Sequence, residues 1–95
     1  MKVTVEARKF KARDDLRTYC EKEVGRLDRY FDRILDAEVT LEGKQDKKMA
    51  TVKVAVPEQT LVASETADKF EIAVEASVDK LVVQLKKYKS KLRKR

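Results

Sequence analysis

The chain has 95 residues, enough for one domain with a modest core, and 42% of them are hydrophobic while another 42% are charged. That balance is too apolar for a disordered chain and too charged for a membrane protein, and no apolar run approaches the ~20 residues needed to span a bilayer. Lys and Arg number 23 against 17 Asp and Glu, a formal net charge of +6, and Cys20 is the sole cysteine, so no intrachain disulfide can form.

The first residues, "MKVTVEARKF", alternate instead of forming a signal-peptide core, which predicts a cytoplasmic protein. Val3, Val5 and Ala7 share one face at period two, the pattern of a half-buried strand. From about Asp14 to Phe31 the period lengthens. Leu16, Cys20, Val24, Leu27 and Phe31 follow helical spacing, with Tyr19 and Tyr30 at the edge of the stripe. Asp14 and Asp15 fall near the helix start, where carboxylates suit the dipole. Gly25 in mid-helix costs up to ~1 kcal/mol relative to Ala. Cys20, on the inner face, reads as a small core hydrophobe and not as a reactive thiol.

The segment "ILDAEVTLEG" alternates at Ala37, Val39 and Leu41 and is expected to turn at Gly43 into a polar loop, "GKQDKK". "MATVKVAVP" alternates at Ala50, Val52, Val54 and Val56 and stops at Pro57, from which "PEQ" leads into "TLVASE". These are three successive antiparallel strands joined by hairpins. A second helix is predicted from near Asp68, with Glu71 three residues later as a capping-box partner. Phe70, Val74, Val78, Leu81, Leu85, Tyr88 and Leu92 then step by three or four residues into the basic terminus, which makes that end the last turns of a long helix. The order βαβββα defines an α+β fold: a four-stranded, mainly antiparallel sheet with two amphipathic helices packed on one face, residues 1–95 forming a single domain.

The positive excess sits at one end. Residues 80–95 hold eight Lys or Arg and no acid, whereas residues 1–79 hold 15 basic and 17 acidic side chains. Such focusing points to a polyanionic partner. At 100° per residue, Lys80, Lys87, Lys91 and Lys94 line one flank of the second helix, and Lys86, Lys89 and Arg93 the other. On the first helix Lys22, Arg26, Arg29 and Arg33 form a solvent-facing row. Glu21, Asp28 and Asp32 flank that row and can neutralise it, so for helix one alone a solvated charged face is the preferred reading over binding. If both helices cover one face of the sheet, the two basic rows share a surface able to track a phosphate backbone.

Tyr19, Tyr30 and Tyr88 fit the rim of an apolar stripe better than a base-stacking platform. Ile72, Ala76 and Val83 form a small outward apolar patch on helix two, either inert or a contact for a protein partner. Membrane binding ranks well below nucleic acid, because the apolar face of helix two is needed to cover the sheet and no Trp is present. There is no His, no glycine-rich phosphate loop and no nucleophile beside a base, so no enzyme, no cofactor and no small-molecule substrate is indicated. A His/Cys metal site is excluded by counting.

The stretch "RLDRYFDRI" (26–34), the strand series and "DKLVVQLKKYKSKLRKR" (79–95) resemble the ribosome hibernation-promoting factors, including the related ribosome-associated inhibitor A, over essentially the whole chain. The resemblance implies a fold related to double-stranded RNA-binding domains and a cytoplasmic factor on the small ribosomal subunit. It implies a seat in the messenger and transfer-RNA decoding channel, where the family blocks translation in starved or stationary cells and in some members promotes ribosome dimerisation. By position it assigns rRNA contact to Lys80, Lys86, Lys87, Lys89, Lys91 and Arg93, with Lys22, Arg26 and Arg29 in support. Relatives often carry Arg where this chain has Val83, and a hydroxyl residue where it has Arg13. Long members continue into a dimerising domain, so the resemblance implies either a short form or the N-terminal domain of a long one. A general duplex-RNA binder and a protein-interaction module built on the outward patch are the alternatives.

Overall fold

The structure, a computed structural model, describes residues 1–93, and of Arg93 the backbone alone. Strand β1 spans Lys2–Ala7, helix α1 Asp14–Gly25, β2 Asp36–Lys44, β3 Lys47–Val56, β4 Gln59–Ala67 and helix α2 Phe70–Arg93. The strands lie in the order β1-β2-β3-β4. β1 pairs in parallel with β2, Val5 opposite Val39, because α1 carries the chain back across the sheet between them. The β2–β3 and β3–β4 pairs are antiparallel hairpins, as the alternation predicted.

Period-two alternation puts Val5, Ala37, Val39, Leu41, Ala50, Val52, Val54, Val56, Leu61 and Ala63 on one face, all buried. The stripes of α1 and α2 cover them. Cys20, Val24, Leu27, Val74, Val78, Leu81 and Leu85 have no exposed surface, and Tyr88 caps the far end of this single core. Ser77, also fully buried, is satisfied by the carbonyl oxygens of Ala73 and Ala50 at 2.9 and 3.3 Å. Both helices reach down to the sheet's open sides. Arg17 of α1 donates to the Val5 carbonyl on edge strand β1 (3.1 Å), and Gln84 of α2 donates to the Val62 carbonyl on edge strand β4 (2.9 Å).

Three local expectations change. The first helix does not run as α-helix to Phe31; it ends at Gly25 and tightens into a 3-10 turn over Arg26–Arg29, closed by a 3.0 Å bond from the Tyr30 N–H to the Leu27 carbonyl. Leu27 and Phe31 stay buried, so the hydrophobic spacing is kept while the hydrogen-bond pattern changes. The β2–β3 turn lies at Gln45–Asp46 and not at Gly43, which pairs with Lys48 inside the ladder. Gln45 (φ 55°) and, in the next hairpin, Glu58 (φ 71°) supply the left-handed backbone, and neither glycine has positive φ.

Finally, α2 begins at Phe70, and the Ala73 N–H bonds the Lys69 carbonyl at 3.1 Å. Asp68, expected as the cap, lies one residue too early, and its carboxylate receives the Lys47 ammonium at 2.7 Å. At α1 the cap position is Arg13, which makes no side-chain cap bond; Asp15 accepts from the Leu16 N–H at 3.0 Å instead.

Candidate nucleic-acid interface

Contacts along the seam between the helices run in step. The Tyr19 hydroxyl donates to the Glu71 carbonyl at 3.2 Å, Arg26 reaches Asp79 at 3.4 Å, and the Lys86 ammonium sits 5.5 Å from the centre of the Tyr30 ring. The first helix with its 3-10 extension therefore runs parallel to α2. The C-terminal end of the first helix lies beside the C-terminal third of α2, at Lys86, seven residues before that helix ends.

That shared end is basic. Lys86, Lys87, Lys89 and Lys91 are exposed on the last turns of α2, and among the described residues none of them forms an ion pair. Arg29 is exposed in the 3-10 turn, and the Arg33 guanidinium lies 5.5 Å from the Phe31 ring centre, which is in turn packed edge-on against Tyr88 (5.3 Å, 84°). The Tyr88 hydroxyl donates to the Pro57 carbonyl at 2.7 Å and ties α2 to the β3–β4 turn. Beyond it, among the described side chains, Leu92 alone is partly buried, and Lys89, Ser90 and Lys91 are exposed.

The two flanks of α2 separate as the helical wheel requires. Lys80 and Gln84 point to β4, whereas Lys86 points to the 3-10 turn. Not every expected cation is available. Lys80 is paired with Glu65 of β4. Arg26 is held between Glu23 and Asp79, and the Glu23 hydrogen bond raises its already high pKa further, so it is a fixed cation whose charge is met within the protein. Lys22 is exposed on α1, outside these pairs. The side chain of Arg93 and all of Lys94 lie outside the described residues.

Near the start of α2 the seam changes sign. The Tyr19 hydroxyl has its pKa raised by burial and by Glu23, Glu75 and Glu71 around it. The two basic rows thus join only at the C-terminal end, where Lys86 meets Tyr30. The outward apolar patch is broken as well. Ile72 and Val83 are about half exposed (54% and 53%), but Ala76 is partly buried, and Asp79, bound to Arg26, lies between them on the helix face. The cation–π contact at Tyr30 escaped the sequence reading because its partners are far apart in the chain; the rim position of Tyr30 was the one available signal.

A four-stranded sheet backed by two parallel-running helices with a common basic end describes a class of small α+β domain. Within it, the chain belongs to the family described as sigma 54 modulation protein / S30EA ribosomal protein, which matches residues 3–93. A ribosome hibernation promoting factor of Azotobacter vinelandii is 36% identical over 93 residues, covering 96% of this chain and 85% of that protein. A ribosome hibernation promotion factor of Deinococcus radiodurans is 32% identical, and there the match covers 92% of this chain but 48% of the relative. Among solved structures, the Thermus thermophilus Protein Y N-terminal domain superposes with a TM-score of 0.85 at 31% identity, over 93% of this chain and 99% of that one. A ribosomal subunit interface protein from Coxiella burnetii gives 0.88 at 26% identity, over 95% and 99%. The resemblance read from "RLDRYFDRI" and the end of α2 therefore holds at the level of family and fold.

Proposed function

We propose that this chain is a ribosome hibernation factor. It binds the small ribosomal subunit in the messenger and transfer-RNA decoding channel, in the cytoplasm, and inhibits translation under stress or in stationary phase. The observation that carries the reading is the run Lys86, Lys87, Lys89 and Lys91, exposed and without ionic partners among the described residues, on a helix anchored by Tyr88. The hibernation-factor names of the relatives support the ribosome as partner. The helix already orders the backbone that carries these ammonium groups, so contact with phosphates costs side-chain ordering alone. Lys87, Lys91, Lys86 and Lys89 are the principal contacts, and Arg29 extends the surface. Lys80, Lys22 and Arg26 are secondary, because Lys80 and Arg26 must exchange internal partners for phosphate.

Co-sedimentation with ribosomes and separated subunits, with free duplex RNA as competitor, tests the proposal. Binding to the small subunit is expected to survive the competitor, and Lys87→Glu with Lys91→Glu is expected to abolish it while leaving the thermal unfolding midpoint unchanged. Binding lost to the competitor would mean a general duplex-RNA binder; full retention by the double variant would remove the α2 end from the interface. The same gradients report whether bound ribosomes travel singly or in pairs.

A further inference from the structure

We propose that a cleft at the opposite end of the molecule is a second binding site, for one unpaired nucleotide: its base on the ring of Phe10 and its phosphate among Arg8, Lys9, Lys44 and Lys48. The cleft has a volume of about 530 Å³ and opens between the β1–α1 loop, the β2–β3 hairpin and the first residue of α2. Lys86 lies 16 residues further along α2 than Phe70, about 24 Å at the helical rise, so the site is separate from the basic end already described.

Phe10 is 38% exposed, although its ring is stacked nearly parallel on Phe70, with centroids 5.1 Å apart and 11° between planes. The stack is a preformed platform to which a third planar ring can be added, and sequence-tolerant stacking on aromatic side chains is how single strands are held. The Lys48 ammonium approaches Phe70 at 5.5 Å. Four cations and the single carboxylate of Glu42 line the cleft, and Lys44 lies 4.0 Å from that carboxylate. Two further features fit a ligand that comes close to backbone. Lys9 is held at φ 66°, an uncommon left-handed conformation for a residue with a side chain. At Gly43, also in the lining, an added Cβ would meet no atom within 4 Å, so the space in front of it is open. A base paired within a duplex cannot lie flat on such a ring, which selects an unpaired one.

The nucleotide could belong to a single RNA strand or be free in solution, and the experiment separates these sources. The chain has no Trp, so Phe10→Trp introduces a lone indole at the platform. It is made together with Lys87→Glu and Lys91→Glu, so that the signal does not arise from the α2 end. Saturable quenching by octa-adenylate and much weaker quenching by AMP are expected, with none from a blunt RNA duplex. Equal affinity for AMP and octamer per site would keep the nucleotide site and assign it to a free nucleotide. With Lys87→Glu and Lys91→Glu present throughout, labelled octamer should bind Phe10→Leu about 5- to 150-fold more weakly than the chain with native Phe10, at an unchanged unfolding midpoint, the range of one lost base stack. Gly43→Leu, which fills the open space, should weaken binding likewise and serves if Phe10→Leu unfolds. Absence of saturable quenching, equal quenching by duplex, or undiminished binding by the folded variants would overturn the proposal. None of these outcomes depends on whether the α2 end binds ribosomes.

Discussion

Cys20 shows how far a single residue can be read. Helical spacing put it on the inner face of α1, and the structure leaves it no exposed surface. Burial, assisted by Glu71 and Glu21 and opposed by Arg17, pushes its thiol up to about 11 from a reference of 9.0. The native state therefore favours the neutral thiol. Its contribution is complete below pH 9 and is lost as the pH rises from about 9 to 11, where the unfolded chain ionises first. The two-unit difference corresponds to roughly 2–3 kcal/mol. A Cys20→Ala variant is expected to lack that component of the alkaline stability loss in denaturant titrations at pH 8 and 11. At pH 8 an aromatic disulfide reagent should label the wild type only after denaturant is added. Lys80 and Arg26 were less legible, since Glu65 and Asp79 meet them from other elements and no spacing rule announces such pairs.

Elements were read best where periodicity alone decides them. The strands and α2 follow their alternation and stripe, whereas the joints depend on competing local choices. Leu27 and Phe31 can be buried from an α-helix or from a 3-10 turn, so their spacing could not reveal the change at Gly25. Gly43 looks like a turn from propensity, yet the cross-strand register keeps it in β2, two residues before the bend and opposite Lys48. The backbone of Gly25 is helical (φ −59°, ψ −22°), and an added Cβ meets nothing within 4 Å. Gly25→Ala should therefore stabilise the domain by about 0.5–1 kcal/mol, chiefly by restricting the unfolded chain, and raise the melting midpoint by several degrees in calorimetry. A fall in the midpoint would mean that the α-to-3-10 transition needs glycine.

Over the whole molecule, charge is segregated by end. The outward face of the sheet balances Glu6, Asp36, Glu38 and Glu42 against Lys2, Lys44, Lys47 and Lys53, while Lys86, Lys87, Lys89 and Lys91 crowd the end of α2 with no acidic residue among them. Composition disclosed the basic end; which cations stay unpaired needed the parallel run of the two helices. This arrangement sets the salt response of the proposed complex. Each neutralised phosphate contributes about 0.7–0.9 to the slope of log affinity against log salt, so Lys87→Ala with Lys91→Ala should flatten that slope by about 1.5. An unaltered slope would place the ionic contacts elsewhere.

Arg17 and Gln84 have a consequence for crowding. Each occupies a carbonyl on one open side of the sheet, at Val5 and at Val62. A neighbouring copy that meets either side finds part of the template for strand addition already taken by a helix-borne group. Growth of one sheet onto another at these positions must first dislodge that group, which adds a step to edge-to-edge assembly when many copies are packed into a small volume.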